Sequence, residues 1–561
     1  MLPSADPLKE DDVLKTLSRS LVLVLFASLV AASVVTVAAG QQTSANPPAP
    51  AAPAPAARPA DQTAYTPANA NKDPADRLAA LRKFKTDFPS SNFSTSADSA
   101  ILDALIAGFP DRKDEINKAI DTVVANIAPG MPGYLRMSQV QSLVLKLADK
   151  KVALDKADSL VGDAMEYLDK DFKQTQAQGI ETLGVVHLAK GDTKRAEKEF
   201  SDAFATNNTL TRAPVELAQI EARRGNDKAV VTYLMPLSAS GKLKTADEDL
   251  LRASYKKVHG GSLATFDADV DKVYLDKFPN PIKTVEPYKA SAARTNRVVL
   301  AEMFTGSGCP PCVSADLALD KVAERYADAD VITLAYHANI PQPDPMVVAG
   351  NEVRRNYYKV NGVPTIEVDG TGKVGGGARE AAPRTYADYV TMIDKALDAP
   401  AGANVTVRAT TDGTKVHVTA TASNVKSEAK DLKLQIVLAE HELRFVGENG
   451  IRFHAMVVRG VGGENQGGFA VNASGETTAE WTFDLAAIRE DVTKTLTAEM
   501  TKRHSTETPG STPREYRSEG HPMVEVDPSA LSVIAFVQET KGDGAAQTRQ
   551  VLQAAQANVV K

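Results

Sequence analysis

The chain has 561 residues, 43 % of them hydrophobic and 24 % charged, with a formal net charge of −7. That length is too great for one hydrophobic core and implies roughly two to four domains. The dispersed acidic balance, without a basic tract carrying interleaved aromatics, argues against a general nucleic-acid binder.

Lys15 and Arg19 precede an apolar run from Leu21 to Ala39. Val37 and Ala39 then stand at the two positions a signal peptidase reads, so residues 1–40 read as a secretory signal cut after Ala39 or Gly40. The alternative is an uncleaved anchor through residues 21–39, since the run is nearly long enough to span a bilayer. Glu10-Asp11-Asp12 is atypical of a signal's leading region and leaves a start downstream of Met1 open. Either way the chain is expected in the periplasm or cell envelope, touching membrane only through this segment. Residues 41–72 follow as a Pro/Ala-rich linker, extended and semi-rigid because proline fixes φ and removes donors.

From 73 to 290 apolar residues recur at three- and four-residue spacing, as in Leu78, Leu81 and Phe84 or Val140, Leu143 and Leu147. Turn signals at Ala128-Pro129-Gly130 and Met131-Pro132-Gly133 cut this stretch into short helices. Leu183, Gly184, His187, Gly191, Ala196, Phe200 and Ala203 resemble one tetratricopeptide repeat, and Leu217, Ala218 and Gly225 begin a second. Gly191 and Gly225 lie 34 positions apart, the period of that family. The alternative is an irregular helical bundle. A repeat array implies a concave groove for protein partners. His187 occupies an aromatic packing position, which favours a structural role over chemistry.

Between 293 and 398 the order becomes β-α-β-α-β-β-α. Arg297–Phe304 reads as a buried strand, Pro310–Ala327 as a helix and Val331–Tyr336 as a strand. Val348–Val360 reads as a helix, Thr365–Val368 and Gly372–Val374 as a hairpin, and Tyr386–Leu397 as an amphipathic helix. From 402 to 540 the period is two, with candidate strands at Val405–Ala409, Val416–Ala420, Leu432–Leu438, His454–Val458, Ala479–Phe483 and Leu531–Val537. That pattern suggests an antiparallel β-sandwich. Pro509-Gly510-Ser511-Thr512-Pro513 reads as a loop and residues 545–561 as a short amphipathic helix.

The two cysteines, Cys309 and Cys312, sit three apart between a strand and a helix. At a helix start Cys309 would lie over unpaired N–H groups and the positive end of the helix dipole, which favours a reachable, reactive thiolate. The N–H of Cys312 is expected to remain available to it. A purely structural staple is the weaker alternative, because so short a loop yields about 2 kcal/mol at most. A zinc site would need two more ligands, and only His337 offers itself. His337 itself reads either as a polar loop residue or as an active-site neighbour. His454 reads as a satisfied core histidine. Gly375-Gly376-Gly377 follows a strand but lacks the lysine and helix of a phosphate loop. No cofactor or metal is expected.

With Asn361-Gly362-Val363-Pro364-Thr365 downstream, residues 296–397 resemble the thioredoxin superfamily. The resemblance implies a cis-proline at Pro364, attack by Cys309, resolution by Cys312, and substrate docking along Val363, Pro364 and Thr365. Cys-Pro-Pro-Cys also resembles exported thioredoxin-like reductants. Two departures stand out. Gly308 replaces the usual tryptophan. The usual buried acid falls on Met303, while the adjacent Glu302 should face the other way unless a bulge brings it in. A closer resemblance, over 296–560, is to an outer-membrane-protein-related envelope family joining a thioredoxin-like half to a β-sandwich half. It rests on Tyr336-His337, Pro343-Asp344-Pro345, Asn356-Tyr357-Tyr358, His454 and Val457-Val458-Arg459. The expectation is therefore a multidomain chain: an all-α tetratricopeptide-like array, an α/β thioredoxin-like domain and an all-β sandwich. It would exchange its disulfide with protein thiols or disulfides, its groove recruiting protein partners. The rival is a non-catalytic envelope scaffold.

Overall fold

The computed structural model describes residues 59–127, 130–169, 171–507, 516, 518, 522–542 and 547–561. The signal or anchor, the linker as far as residue 58, Ala128-Pro129 and the Pro509–Pro513 loop lie outside them. The described remainder of the expected linker is not a spacer. Ala60–Ala70 is helix α1, held because Tyr65 stacks on Phe93 at 5.0 Å and Ala68 is buried beside Leu81, Phe84 and Ala97.

Eleven more described helices follow before the first strand: α2 (Pro74–Asp87), α3 (Ser94–Gly108), α4 (Lys113–Ala125), α5 (Gly133–Asp149), α6 (Leu154–Glu166), α7 (Lys173–Lys190), α8 (Thr193–Thr206), α9 (Arg212–Arg223), α10 (Asp227–Ala239), α11 (Thr245–Val258) and α12 (Phe266–Lys277). The repeat-like stretch forms α7 and α8. A Cβ on Gly184 would sit 2.8 Å from the Phe200 ring, so the missing side chain is what lets the two helices approach. Gly191 ends α7 at φ 89° and Gly225 precedes α10 at φ 74°, both in the left-handed region that glycine tolerates. His187 is buried between Glu199 (2.6 Å) and Asp158 (3.1 Å), a packed and paired residue. The helices stop at Lys277, short of residue 290. Pro279, Pro281 and Pro287 keep the next stretch extended, and Ile282 is buried against the following layer. No helix among the described residues is long and apolar enough to cross a membrane.

Next come β1 (Val299–Thr305), α13 (Cys312–Arg325), β2 (Val331–His337), α14 (Ala349–Tyr358), β3 (Thr365–Val368), β4 (Thr371–Val374) and α15 (Ala382–Leu397). β1 and β2 are parallel and buried on both faces, which their unbroken apolar runs require. Val299, Ala301 and Met303 pack under α13 and α15, while Leu300 and Phe304 pack on the opposite face with Tyr336 and Tyr358.

The remaining elements are β5 (Asn404–Thr411), β6 (Lys415–Ser423), β7 (Asp431–Arg444), β8 (Phe453–Val461), β9 (Phe469–Ala470), β10 (Thr477–Asp484), α16 (Leu485–Ser505), β11 (Leu531–Lys541) and β12 (Thr548–Asn558). They do not make a self-contained sandwich over 402–540. β7, β8, β11 and β12 extend the first sheet in the order β12-β11-β7-β8-β2-β1-β3-β4, with β9 beside β7. Among the described residues β10-β6-β5 forms the second sheet, and it buries Val416, Val418 and Ala420 against Leu434, Ile436 and Val533 of the first. Nor is this part all β. α16 begins where the Asp484 side chain accepts from the N–H groups of Ala486 and Ala487. The expected helix at 545–561 is strand β12, paired antiparallel with β11 from Ser532↔Asn558 to Lys541↔Thr548. The open edge of β11 overrides the helix propensity of an Ala/Gln-rich segment. Buried Arg297 ties β12 to the start of β1, donating to the Val551 carbonyl at 2.5 Å and to Asp369 at 2.8 Å.

Candidate functional site

Cys309 and Cys312 are joined in a disulfide between β1 and α13, their Cα atoms 5.3 Å apart. Cys312 is the first residue of α13, preceded by Pro311, whose missing N–H is no loss there. The Val363-Pro364 peptide is cis, as proline permits, and the Val363 carbonyl oxygen lies 3.8 Å from Cys309 Sγ. Pro364 and Thr365 are buried, the latter opening β3 with its hydroxyl donating to the Gly362 carbonyl at 2.8 Å. The structure therefore brings Cys309, Cys312, Val363 and Pro364 together, with Thr365 next in line on β3.

The triglycine run completes this wall. Gly377 N–H donates to the Pro311 carbonyl at 2.8 Å, and Gly377 accepts from the N–H of Ser314 at 3.1 Å. A Cβ on Gly376 would fall 2.1 Å from the Pro311 oxygen and 2.6 Å from Pro364 Cγ. Its glycines allow this backbone contact.

Two expectations about the sulfurs fail. Cys309 is 2 % exposed and Cys312 fully buried, although Pro310 and Pro311 between them are exposed. The Cys312 N–H is not available to a Cys309 thiolate either, because it donates to the Cys309 carbonyl at 3.2 Å. Two loops grip residues 306–309. On one side Asp344 accepts from the Ser307 N–H at 2.6 Å, and Gln342 occupies the space a Gly308 side chain would need. On the other side Asn449 donates from its N–H to the Ser307 carbonyl at 3.0 Å.

Glu302 is not an active-site neighbour. Strand alternation turns it to the face opposite Met303, where Arg354 donates to both its oxygens (2.7 and 2.8 Å) and Tyr358 donates at 2.6 Å. No bulge occurs; the β1–β2 register is unbroken. His337 ends β2 opposite Thr305, the last residue of β1, and is buried. Its Nδ1 is 2.8 Å from the same Asp344 oxygen that holds Ser307. Burial opposes a charge on the His337 ring, but the Asp344 carboxylate outweighs it and holds the ring above the ordinary imidazole value. His454 lies 5.2 Å away, ring to ring, and shares a hydrogen bond of 2.9 Å with the Phe445 carbonyl. Burial, then the charge of His337, lowers it to about 4, so it is neutral. Among the described residues no three His, Cys, Asp or Glu side chains converge as metal ligands.

Asp316 escaped sequence reasoning. It sits four residues after Cys312 on α13, the spacing that puts two side chains on one helix face. Thr305 donates to its Oδ1 at 2.6 Å, while Oδ2 is buried without a hydrogen-bond partner. Burial pushes this carboxyl up to about 7, against the Thr305 hydrogen bond. Asp320, four residues further, is likewise raised to about 7 by burial and by the neighbouring Asp316. A Cys-x-x-Cys followed at i+4 by an acid was the available signal.

No known family profile matches the chain, and no curated protein does. Among solved structures, HBP35 of Porphyromonas gingivalis is similar at 18 % identity and a TM-score of 0.31, over 48 % of this chain and 77 % of that one. A Pseudomonas aeruginosa PilF structure is similar at 18 % identity and a TM-score of 0.22, over 35 % of this chain and 90 % of that one.

Proposed function

We propose that this chain is an exported thiol–disulfide oxidoreductase in which residues 293–398 act as a thioredoxin-like centre and the helical array engages protein partners. The observation that carries the reading is the Cys309–Cys312 disulfide at the start of α13, with the Val363 carbonyl oxygen 3.8 Å from Cys309 Sγ. A bond closing so short a ring stabilises little, which favours a disulfide that is made and broken.

In the reducing direction a partner dithiol is the electron donor. Its thiolate attacks Cys309 Sγ, the intramolecular S–S bond breaks, and Cys312 leaves as a thiolate. The partner's second thiolate then attacks the mixed disulfide, so the partner leaves oxidised and the protein keeps two electrons and two protons. Run backwards, the same steps reduce a partner disulfide. Asp316, raised to about 7 on the face of α13 shared with Cys312, suits the delivery of a proton to the Cys312 sulfur and its removal. The Val363 backbone beside Cys309 suits an extended partner backbone.

A Cys312→Ser variant retains the attacking sulfur and loses the resolving one. It is expected to accumulate mixed disulfides with partner proteins, visible as reductant-sensitive bands on non-reducing gels. If it accumulates none, while the wild-type disulfide survives exposure to dithiols, the scaffold reading replaces this one.

A further inference from the structure

We infer that Asn449 is a latch that keeps the disulfide closed, and that Asp271 on the last array helix sets whether the latch is shut. This deepens the exchange reading and rests on it. Asn449 stands in the turn between β7 and β8, far from the cysteines in sequence. Besides the backbone bond to Ser307, its Nδ2 donates to the Gly306 carbonyl at 3.3 Å and to the Cys309 carbonyl at 3.4 Å. Its Oδ1 meanwhile accepts from the Ile451 N–H at 3.0 Å, which fixes the side chain in the turn. Gly447 lets that turn lie flat on the loop, because a Cβ there would sit 2.2 Å from the Ser307 oxygen. Three hydrogen bonds from one residue thus tie this turn to the segment that carries Cys309.

The base of the same turn is bound to the helical array. Arg452 Nε donates to Asp271 Oδ1 at 2.5 Å, and Arg444 Nε lies 3.3 Å from Asp271 Oδ2. One turn along α12, Tyr274 meets the Phe453 ring edge-on at 5.6 Å. The opposite wall of the disulfide is tied to the same helix end. Arg379, two residues after the triglycine run, donates to the Phe278 carbonyl at 2.9 Å and lies 3.3 Å from the Tyr274 hydroxyl. The end of α12 therefore bonds to both segments that flank Cys309 and Cys312. A protein seated on the array that shifts α12 pulls on Arg452 and draws Asn449 off the loop. Disulfide access then follows partner occupancy, through the Asp271–Arg452 pair and the Asn449 turn.

The test uses the full chain and dithiothreitol as the dithiol, which ends as its cyclic disulfide while Cys309 and Cys312 gain two electrons and two protons. Second-order reduction rates are compared for wild type, Asn449→Ala, Asn449→Asp, Asp271→Asn and the Asn449→Ala/Asp271→Asn double variant. Asn449→Asp keeps the acceptor for Ile451, turns the two donor contacts into carboxylate–carbonyl repulsion and adds a negative charge that slows an attacking thiolate, so any acceleration it shows comes from latch loss rather than turn collapse. Asn449→Ala is expected to react about tenfold faster than wild type, the effect of losing about 1.4 kcal/mol of closure, and Asn449→Asp faster than wild type but less so. Asp271→Asn is expected to react several-fold faster, and the double variant no faster than Asn449→Ala alone, since both act through one latch. Asn449→Ala within twofold of wild type, or effects that multiply in the double variant, overturns the latch while leaving disulfide exchange intact. A native disulfide that no variant allows dithiothreitol to reduce overturns both.

Discussion

Asp316 gives this site a titratable group at neutral pH, and the sign of its effect is fixed. Its folded value of about 7 lies above the roughly 3.9 of an unfolded aspartate. The folded state then holds the proton more tightly, so this stabilisation is fully present below about pH 4 and is lost as pH rises through 7. Relative to Asp316→Asn, the wild type is expected to lose up to about 1.4 kcal/mol per pH unit across that window, measured by urea unfolding at several pH values. A constant difference between the two proteins would remove Asp316 from any proton-handling role. Sequence alternation alone put Glu302 on the face opposite Met303, as the structure has it. It could not show that Arg354 would neutralise Glu302, because that pairing spans a helix and a strand of different segments. Nor could it show the grip of Gln342 and Asn449, arriving from two separate loops, on the segment that carries Cys309.

Most elements were legible because their periods are strong. β1, β2, α13 and the β3–β4 hairpin sit within a few residues of where the apolar runs and turn residues put them. The α7–α8 pair was legible from its small residues, and its glycines can be tested one against another. Gly184→Ala places a Cβ 2.8 Å from Phe200 and is expected to cost about 1–3 kcal/mol. Gly162→Ala, in α6 with no neighbour within 4 Å, is expected to gain up to about 1 kcal/mol from helix propensity. Urea midpoints of the two variants should move in opposite directions. If they move alike, the close helix crossing is not what Gly184 serves. β12 was illegible for the complementary reason. Thr548–Asn558 carries helix-favouring Ala and Gln, and only the distant edge of β11 makes it a strand.

At the scale of the whole molecule, strands far apart in sequence share one sheet, which strand periodicity does not reveal. β2 pairs with β8 on its outer side, and Arg297 reaches β12. A fragment of residues 293–398 is therefore expected to lack a cooperative thermal transition, whereas residues 279–561 should unfold in a single one, as followed by calorimetry. A cooperative transition in the shorter fragment would separate what the shared sheet joins. The strand order also imposes a timetable on the growing polypeptide. β1 to β4 are made early, but the flank of β2 stays bare until β8 is synthesised, and the sheet is finished only with β12. During that interval the nascent chain displays an unpaired edge beside two thiols not yet under the Asn449 turn. The moment for an oxidant to join them, or for a chaperone to shield that edge, precedes the completion of the sheet.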